Sequence, residues 1–488
     1  MNLLEKITQV TVLVVLITTF SIYGAWEDKM TFLAPLMVLL YATLAVWAVV
    51  ACRGKGVPGC RGEETLQNSH TSILSNIQTP PGGIMLLLFW LYSAVMIPFS
   101  AVPYEAKISV LRFGCYVGAY WACANILSRF PRRRMVWGVL FVALLGVALY
   151  SLVQHKINLE VLFGQERYTN YGERLGGTYI CPNHIAHLFQ MWIPFCLVFL
   201  FIPQFGWFWR ICFGYALPVF GLLIYQTQSR AGLLGTVAAM GVLMLLLMLR
   251  KSRRAFLIAL VAAPLFVAAA VGGLWTASSM FRERMQPVVK VLASGFAGDW
   301  EQAISLDFRP KTWADSLLMV KDRPWVGVGP GNYGQTFYKY RQRLFANRLD
   351  VDHPHNEPIE LLTEYGLIGT MLILWALVRV INSLVRLIKT TKRPYHALPA
   401  VAFLAMLAGT AVHGFFDFEL RIFPNALMLF LLAGCAVAPL LRQQRDKPIG
   451  KEERFTTAVA RGIESDFGGR DIQNRAATGE LGSFIAGQ

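Results

Sequence analysis

Apolar runs of about 18 or more residues, each enough to cross a hydrocarbon layer of about 30 Å as a helix, recur along most of the chain. The pattern predicts about twelve membrane spans, near 7–26, 32–52, 83–102, 107–127, 136–155, 183–203, 211–227, 231–249, 255–275, 364–385, 398–415 and 424–441. The run from Ile7 to Trp26 follows a short charged start, lacks a small-residue cleavage site and meets a second span at once. It reads as a retained helix rather than a signal peptide.

Two stretches break the pattern. Between the ninth and tenth spans lies a loop of roughly 85 residues, a length that points to function unless the loop is disordered. Order is expected, because Pro310 to Val320 has Trp313, Leu317 and Val320 at helical spacing, with Trp325, Tyr333, Phe337 and Tyr340 beyond it. After the last span the chain turns to mixed charges with Gly, Ala and Gln, the composition of a mobile tail. The expected divisions are therefore 1–275 (spans 1–9), 276–360 (the loop), 361–441 (spans 10–12) and 442–488 (the tail).

Composition agrees with membrane burial. Of 488 residues, 55% are hydrophobic and only 15% charged, with mean hydropathy +0.47, too little charge to cover a soluble domain. The fold class is an all-α integral membrane protein. The net charge of +16 is not a nucleic-acid footprint, since the bases sit in alternate short connections: Arg53, Lys55 and Arg61; Arg129 and Arg132 to Arg134; Arg250, Lys251, Arg253 and Arg254; Arg386, Lys389, Lys392 and Arg393. By the positive-inside rule these connections and both termini are cytoplasmic. Residues 156–182, the turn Gln226 to Arg230 and the long loop then fall on the outer side. The eight cysteines lie mainly within spans and form no Cys-x-x-Cys pair, so neither a disulfide framework nor a zinc site is indicated.

Candidate chemistry gathers between Pro324 and Gly369, the most polar long stretch of the chain. His355 offers an imidazole near neutral pKa, able to take a proton from a hydroxyl or to align it; a histidine merely satisfied at a helix start is the plainer alternative. Asn356 is placed to cap a helix starting at Glu357, with Pro358 in its first turn. Arg230 stands between two spans with almost no loop around it, where an arginine is costly without a partner. Its planar guanidinium suits a pyrophosphate, and a headgroup anchor is the bland alternative.

His355-Asn356, nine residues, then Gly366-Leu367-Ile368-Gly369 fits the pattern His-[Asn/Ser/Gln]-x9-Gly-x-x-[Gly/Thr/Tyr]. In this, and in "DRPWVGVGPGNY" before it, "TQSRAGLLG" at 227–235 and "GGTYICPNHIA" at 176–186, the chain resembles the bacterial O-antigen ligase and polymerase superfamily. The resemblance covers about 175 to 370 in the family's order. It implies a GT-C-like membrane glycosyltransferase, with a large part-helical periplasmic loop, that uses neither metal nor nucleotide sugar. Its donor is a glycan on undecaprenyl pyrophosphate, moved with inversion at the periplasmic face of the bacterial inner membrane onto lipid A-core, another glycan repeat or a protein. The same resemblance makes His355 the catalytic residue and Arg230 and Arg309 the pyrophosphate-binding pair. Arg174 and Asn183, matched more loosely, and Asn356 are secondary pocket candidates. Asp417 and Glu419, at the outer end of the eleventh span, carry the weakest signal.

Two further patterns are discounted. Gly329 to Gly334 fits Gly-x-Gly-x-x-Gly but lies in a loop, outside a strand–turn–helix unit, and reads as a turn. Asp352, His353 and His355, or His184 and His187, lack a closed ligand shell, so no metal is assigned and no cofactor is required. A polymerase or a protein O-oligosaccharyltransferase fits every motif as well as a ligase does. A transporter fits less well, because the polar motifs gather at one membrane face instead of around a midplane site.

Overall fold

A computed structural model describes residues 37, 40–42, 77–129, 133–157, 161–162, 165–166, 171–179, 181–343 and 351–445. The first predicted span, nearly all of the second, Cys52, Cys60 and the tail beyond 445 lie outside the described residues. The regular elements among them are helices, apart from a two-residue antiparallel ladder pairing β1 (Val161–Leu162) with β2 (Gln165–Glu166).

The helices follow the apolar runs, and prolines, glycines and polar caps set their ends. α1 (Gly83–Val95) starts after Pro80-Pro81-Gly82 and stops short of a 3-10 turn at Ile97–Phe99. The predicted span 83–102 is therefore shorter as a helix, because Pro98 cannot supply the backbone donor that the next turn needs. α2 (Pro103–Arg129), α3 (Arg133–Ile157), α4 (Pro182–Phe199), α5 (Gly206–Thr227), α6 (Arg230–Lys251) and α7 (Arg253–Ala277) come next. The loop contributes α8 (Ser279–Phe296), α9 (Trp300–Ser305), α10 (Phe308–Asp322) and α11 (Tyr333–Phe337). α12 (Glu357–Thr390), α13 (Pro394–Gly414) and α14 (Phe423–Arg445) complete the described helices. Six of them are long and apolar enough to cross a membrane: α3, α5, α6, α12, α13 and α14.

The core is aromatic and aliphatic, built around fully buried Trp192, Phe189, Phe195 and Phe213. α6 and α13 approach closely where Gly235 faces Gly409, since a Cβ on either would collide with the other's carbonyl oxygen. Polar groups sort to the two ends of α6. At one end, Arg250 donates to the carbonyls of Ile388 and Thr391, bringing two base-rich connections together. Arg230 stands at the other end, about 30 Å away by helical rise.

α12 is broken. Gly366 leaves the helical region at φ 60, ψ −167, and the N–H groups of Leu367 and Ile368 donate instead to the carbonyls of Pro324 (2.8 Å) and Trp325 (3.1 Å). From the loop side, Val328 and Gly329 donate to the carbonyls of Thr363 and Glu364. The glycine-rich run is thus a backbone strap laid across the break. A Cβ on Gly366 would strike the Trp325 backbone, and one on Gly327 the Glu364 backbone; both glycines hold positive φ.

Within the loop, α10 buries Thr312, Asp315, Ser316 and Met319 and leaves Leu317 exposed. The face carrying Trp313, Leu317 and Val320 is therefore not the buried one. Buried Asp315 is stabilised by Arg343 (2.8 Å) and by the N–H groups of Gln342 and Arg343, while Ser316 meets the Tyr333 hydroxyl at 2.7 Å.

Candidate functional site

His355 sits just before α12, in the left-handed region at φ 52. Among the described residues only Gln228 shares positive φ without being glycine. Strain of this kind, on the order of 1–3 kcal/mol, persists where neighbours over-determine the position. Here they do: Trp313 Nε1 donates to the Pro354 carbonyl, and Asn356 both caps α12 by accepting from Ile359 N–H and donates to the Phe415 carbonyl, each at 3.0 Å. The expected cap at Asn356 is present.

The segment between α13 and α14 supplies the partners. Asp417 Oδ1 lies 2.8 Å from His355 Nδ1. Asp417 Oδ2 accepts from Asn183 Nδ2 at 2.6 Å, and Asn183 Oδ1 accepts in turn from Arg174 at 2.6 Å. Arg309 comes to 3.9 Å of Asp417 Oδ2. Burial pushes the Asp417 carboxyl up, yet the charge and hydrogen bond of His355, with Arg309 beyond, hold it well below the usual carboxylate range. An ionised carboxylate only accepts, so Nδ1 of His355 carries the hydrogen, and in the neutral imidazole it is then Nε2 that presents the lone pair.

The arginines join through Asp307. Its carboxylate caps α10 by accepting from Arg309 N–H (3.0 Å) and lies 3.9 Å from Arg230 at the start of α6. Arg309 Nε is buried and makes no hydrogen bond among the described residues. The structure therefore brings Arg230, Arg309, His355, Asn183 and Arg174 into one chain of contacts. Arg174 and Asn183 stand behind Asp417 as its supports, with Arg174 Nε also held by the Thr227 carbonyl. The hub was the residue with the weakest sequence signal. Its trace was legible: Asp417, Glu419 and Arg421 crowd into the short turn between two apolar helices, where charge is costly unless paired.

A second cluster adjoins the first. Arg421 reaches Glu364 (2.6 Å), Glu360 (3.1 Å) and Glu357 (3.9 Å), which share one face of the first turns of α12. His353 Nδ1 lies 2.7 Å from Glu360, and its ring stacks on Phe418 at 4.2 Å. Burial lowers the His353 pKa, but the Glu360 carboxylate outweighs it and holds the imidazole above its ordinary value. His353, His355, Glu357 and Arg421 line one part of a cavity of about 1170 Å³, and Phe89, Leu407 and Phe430 line an apolar part. Arg230 and Arg309 lie outside its lining.

Buried imidazoles fill the space behind Asp417. His413 Nδ1 is 2.7 Å from Gln190 Oε1 and its Nε2 is 3.0 Å from Glu419; His187 Nε2 is 3.0 Å from Thr410 Oγ1. Of the groups that could hold a metal, His184, Asp417 and Glu419 offer ligand atoms within 4.8 Å of one another. Both Asp417 oxygens already serve His355 and Asn183, so a cation there would compete with the contacts that orient the imidazole.

Residues 214–374 match the family model described as O-antigen ligase. That segment contains Arg230, Arg309 and His355 and ends before Asp417. Two curated relatives are each 25% identical to this chain. One is an O-antigen ligase of Pseudomonas aeruginosa, aligned over 314 residues, 62% of this chain and 64% of that protein. The other is the exopolysaccharide production protein ExoQ of Rhizobium meliloti, over 303 residues, 60% of this chain and 63% of that protein. The chain thus spans a little under two thirds of the length of each relative. These matches support the O-antigen ligase superfamily, the resemblance carried by the residues around His355.

Proposed function

We propose that this chain is a glycosyltransferase that moves a glycan from undecaprenyl pyrophosphate to an acceptor hydroxyl, on lipid A-core, at the periplasmic face of the bacterial inner membrane. The observation that carries the proposal is the hydrogen-bonded pair His355–Asp417, with Arg309 within ion-pair range of the same carboxylate and Arg230 reached through Asp307.

Arg230 and Arg309 bind the pyrophosphate and stabilise the charge that builds as it leaves. His355 Nε2 accepts the hydroxyl proton while Nδ1 stays on Asp417, which orients the ring and stabilises the imidazolium. The acceptor oxygen forms its bond to the anomeric carbon on the face opposite the breaking C–O bond, which inverts that centre. Two guanidiniums supply the positive charge the leaving group needs, and the lipid pyrophosphate supplies the driving force, so the chemistry runs without metal or nucleotide. Twelve crossings put both termini in the cytoplasm. The base-rich connections meeting at Arg250 and the site residues at the opposite end of α6 support that orientation.

One observation favours a second reading: the similarity to an exopolysaccharide production protein extends over nearly as much of the chain as that to the ligase. A polymerase, or a protein O-oligosaccharyltransferase, would use the same donor half-site with another acceptor. A deletion strain separates these on a lipopolysaccharide gel. Loss of long chains with accumulation of lipid-linked polymer is the expected ligase result. A single repeat left on the core would indicate a polymerase, and unchanged lipopolysaccharide with loss of exopolysaccharide or glycoprotein would replace the acceptor proposed here.

A further inference from the structure

α8 carries an apolar stripe that the protein covers at only one end. Phe281, Met285, Val288, Val289, Leu292 and Phe296 fall on one side at 3.6 residues per turn, opposite Glu283, Gln286 and Lys290. Phe281 and Met285 are buried, at 6% and 8% exposure, whereas Leu292 and Phe296 are 54% and 90% exposed. The stripe continues into Trp300, also exposed, whose ring crosses Gly295.

What covers the bare half follows from where the helix begins. α8 starts two residues after α7 ends, and its cap Ser278, which accepts from Phe281 N–H, lies 3.3 Å from the Tyr225 hydroxyl near the end of α5. α7 exposes Leu257, Ile258, Leu260, Val261 and Leu265, as a helix in contact with acyl chains would. The bare stripe of α8 follows that apolar surface directly in the chain. Exposed Arg282 and Lys290 add charge suited to anionic headgroups, and Trp300 is a residue type favoured at the membrane–water boundary.

We propose that α8 is an interfacial helix, its Val289–Leu292–Phe296–Trp300 edge seated in the headgroup–acyl boundary of the membrane that α7 crosses. The proposal rests on the reading of 255–275 as a span. It gives the loop a lipid-bound footing a few residues before Asp307 and Arg309. A lipid-borne donor would then meet the Arg309 side of the site at the membrane surface itself.

Spin labels read this directly in proteoliposomes, placed singly at 260, 286, 289, 290, 292 and 296 in protein whose native cysteines are replaced by alanine. Labels at 289, 292 and 296 are expected to collide with oxygen and to be shielded from a water-soluble nickel chelate, with the reverse at 286 and 290. Free access of the chelate to 292 and 296 overturns the proposal, as does shielding from both reagents, which would mean cover by protein. The label at 260 distinguishes two failures. If 260 is in lipid while 292 and 296 are in water, the interfacial seat falls and the span stands; if 260 is also in water, both fall. In protein with native cysteines, Trp300→Phe should remove a component of fluorescence quenched by brominated phospholipids. Unchanged quenching counts against the proposal.

Discussion

Asp417 links three parts of the molecule separated in sequence: His355 before α12, Asn183 on α4 and Arg309 on α10. Asp417→Asn presents either an amide N–H or a neutral oxygen to His355 Nδ1, so the tautomer that leaves Nε2 unprotonated is no longer enforced. The turnover rate for glycan transfer should fall on the order of 10²–10⁴-fold, with little change in donor KM, measured by steady-state transfer. Near-normal turnover would remove Asp417 from the mechanism. His353 gives a pH signature of the opposite kind from an acid. Because Glu360 raises its pKa, its stabilising contribution is complete below the ordinary histidine value, about 6.5. It is lost as pH rises through the higher folded value. Thermal stability should therefore decline over that window in the native protein, and the decline should flatten in His353→Gln. At this scale His355 and Arg230 stood out as candidates by spacing and residue type, and Arg309 by the family resemblance alone. Asp417 left only a faint trace, a charge in a short turn, because its partners come from other helices and the turn Phe415 to Arg421 carries no spacing rule.

Among the elements, α12 shows how a short motif serves the fold as well as the site. The sequence marks Gly366 by its spacing from His355, but the reason for glycine is local: the helix breaks there and the strap from Pro324 to Gly329 takes over its hydrogen bonds. Gly366→Ala should detach the strap, costing about 1–3 kcal/mol for the backbone conformation and more for the collision. Proteolysis within 324–337 should accelerate in the variant, and an unchanged cleavage rate would contradict the role given to the break. Helix positions were legible because apolar runs fix them. The stop of α1 at Val95 was not, since hydropathy alone carries the run across Pro98. The buried face of α10 also escaped, because the partners of buried Asp315, Gln342 and Arg343, are 27 and 28 residues away in the chain.

For the molecule as a whole, sidedness connects the parts. Bases gather at one end of α6 and the candidate site at the other, and the positive-inside rule turns that polarity into an orientation. Reporter fusions at both termini should report the cytoplasm, and fusions within 276–360 the periplasm; a periplasmic C-terminus would require a different number of crossings. The all-helical membrane class was legible from composition and period. The acceptor was not, because shared site motifs describe the donor half of the reaction. The decisive measurement is transfer by the purified protein in proteoliposomes holding a lipid-pyrophosphate-linked glycan and lipid A-core, compared with His355→Ala at equal insertion. The native protein should form product and free undecaprenyl pyrophosphate in equal amounts, and His355→Ala should slow both on the order of 10²–10⁴-fold. Full activity in His355→Ala, or no transfer by the native protein, would contradict the assignment.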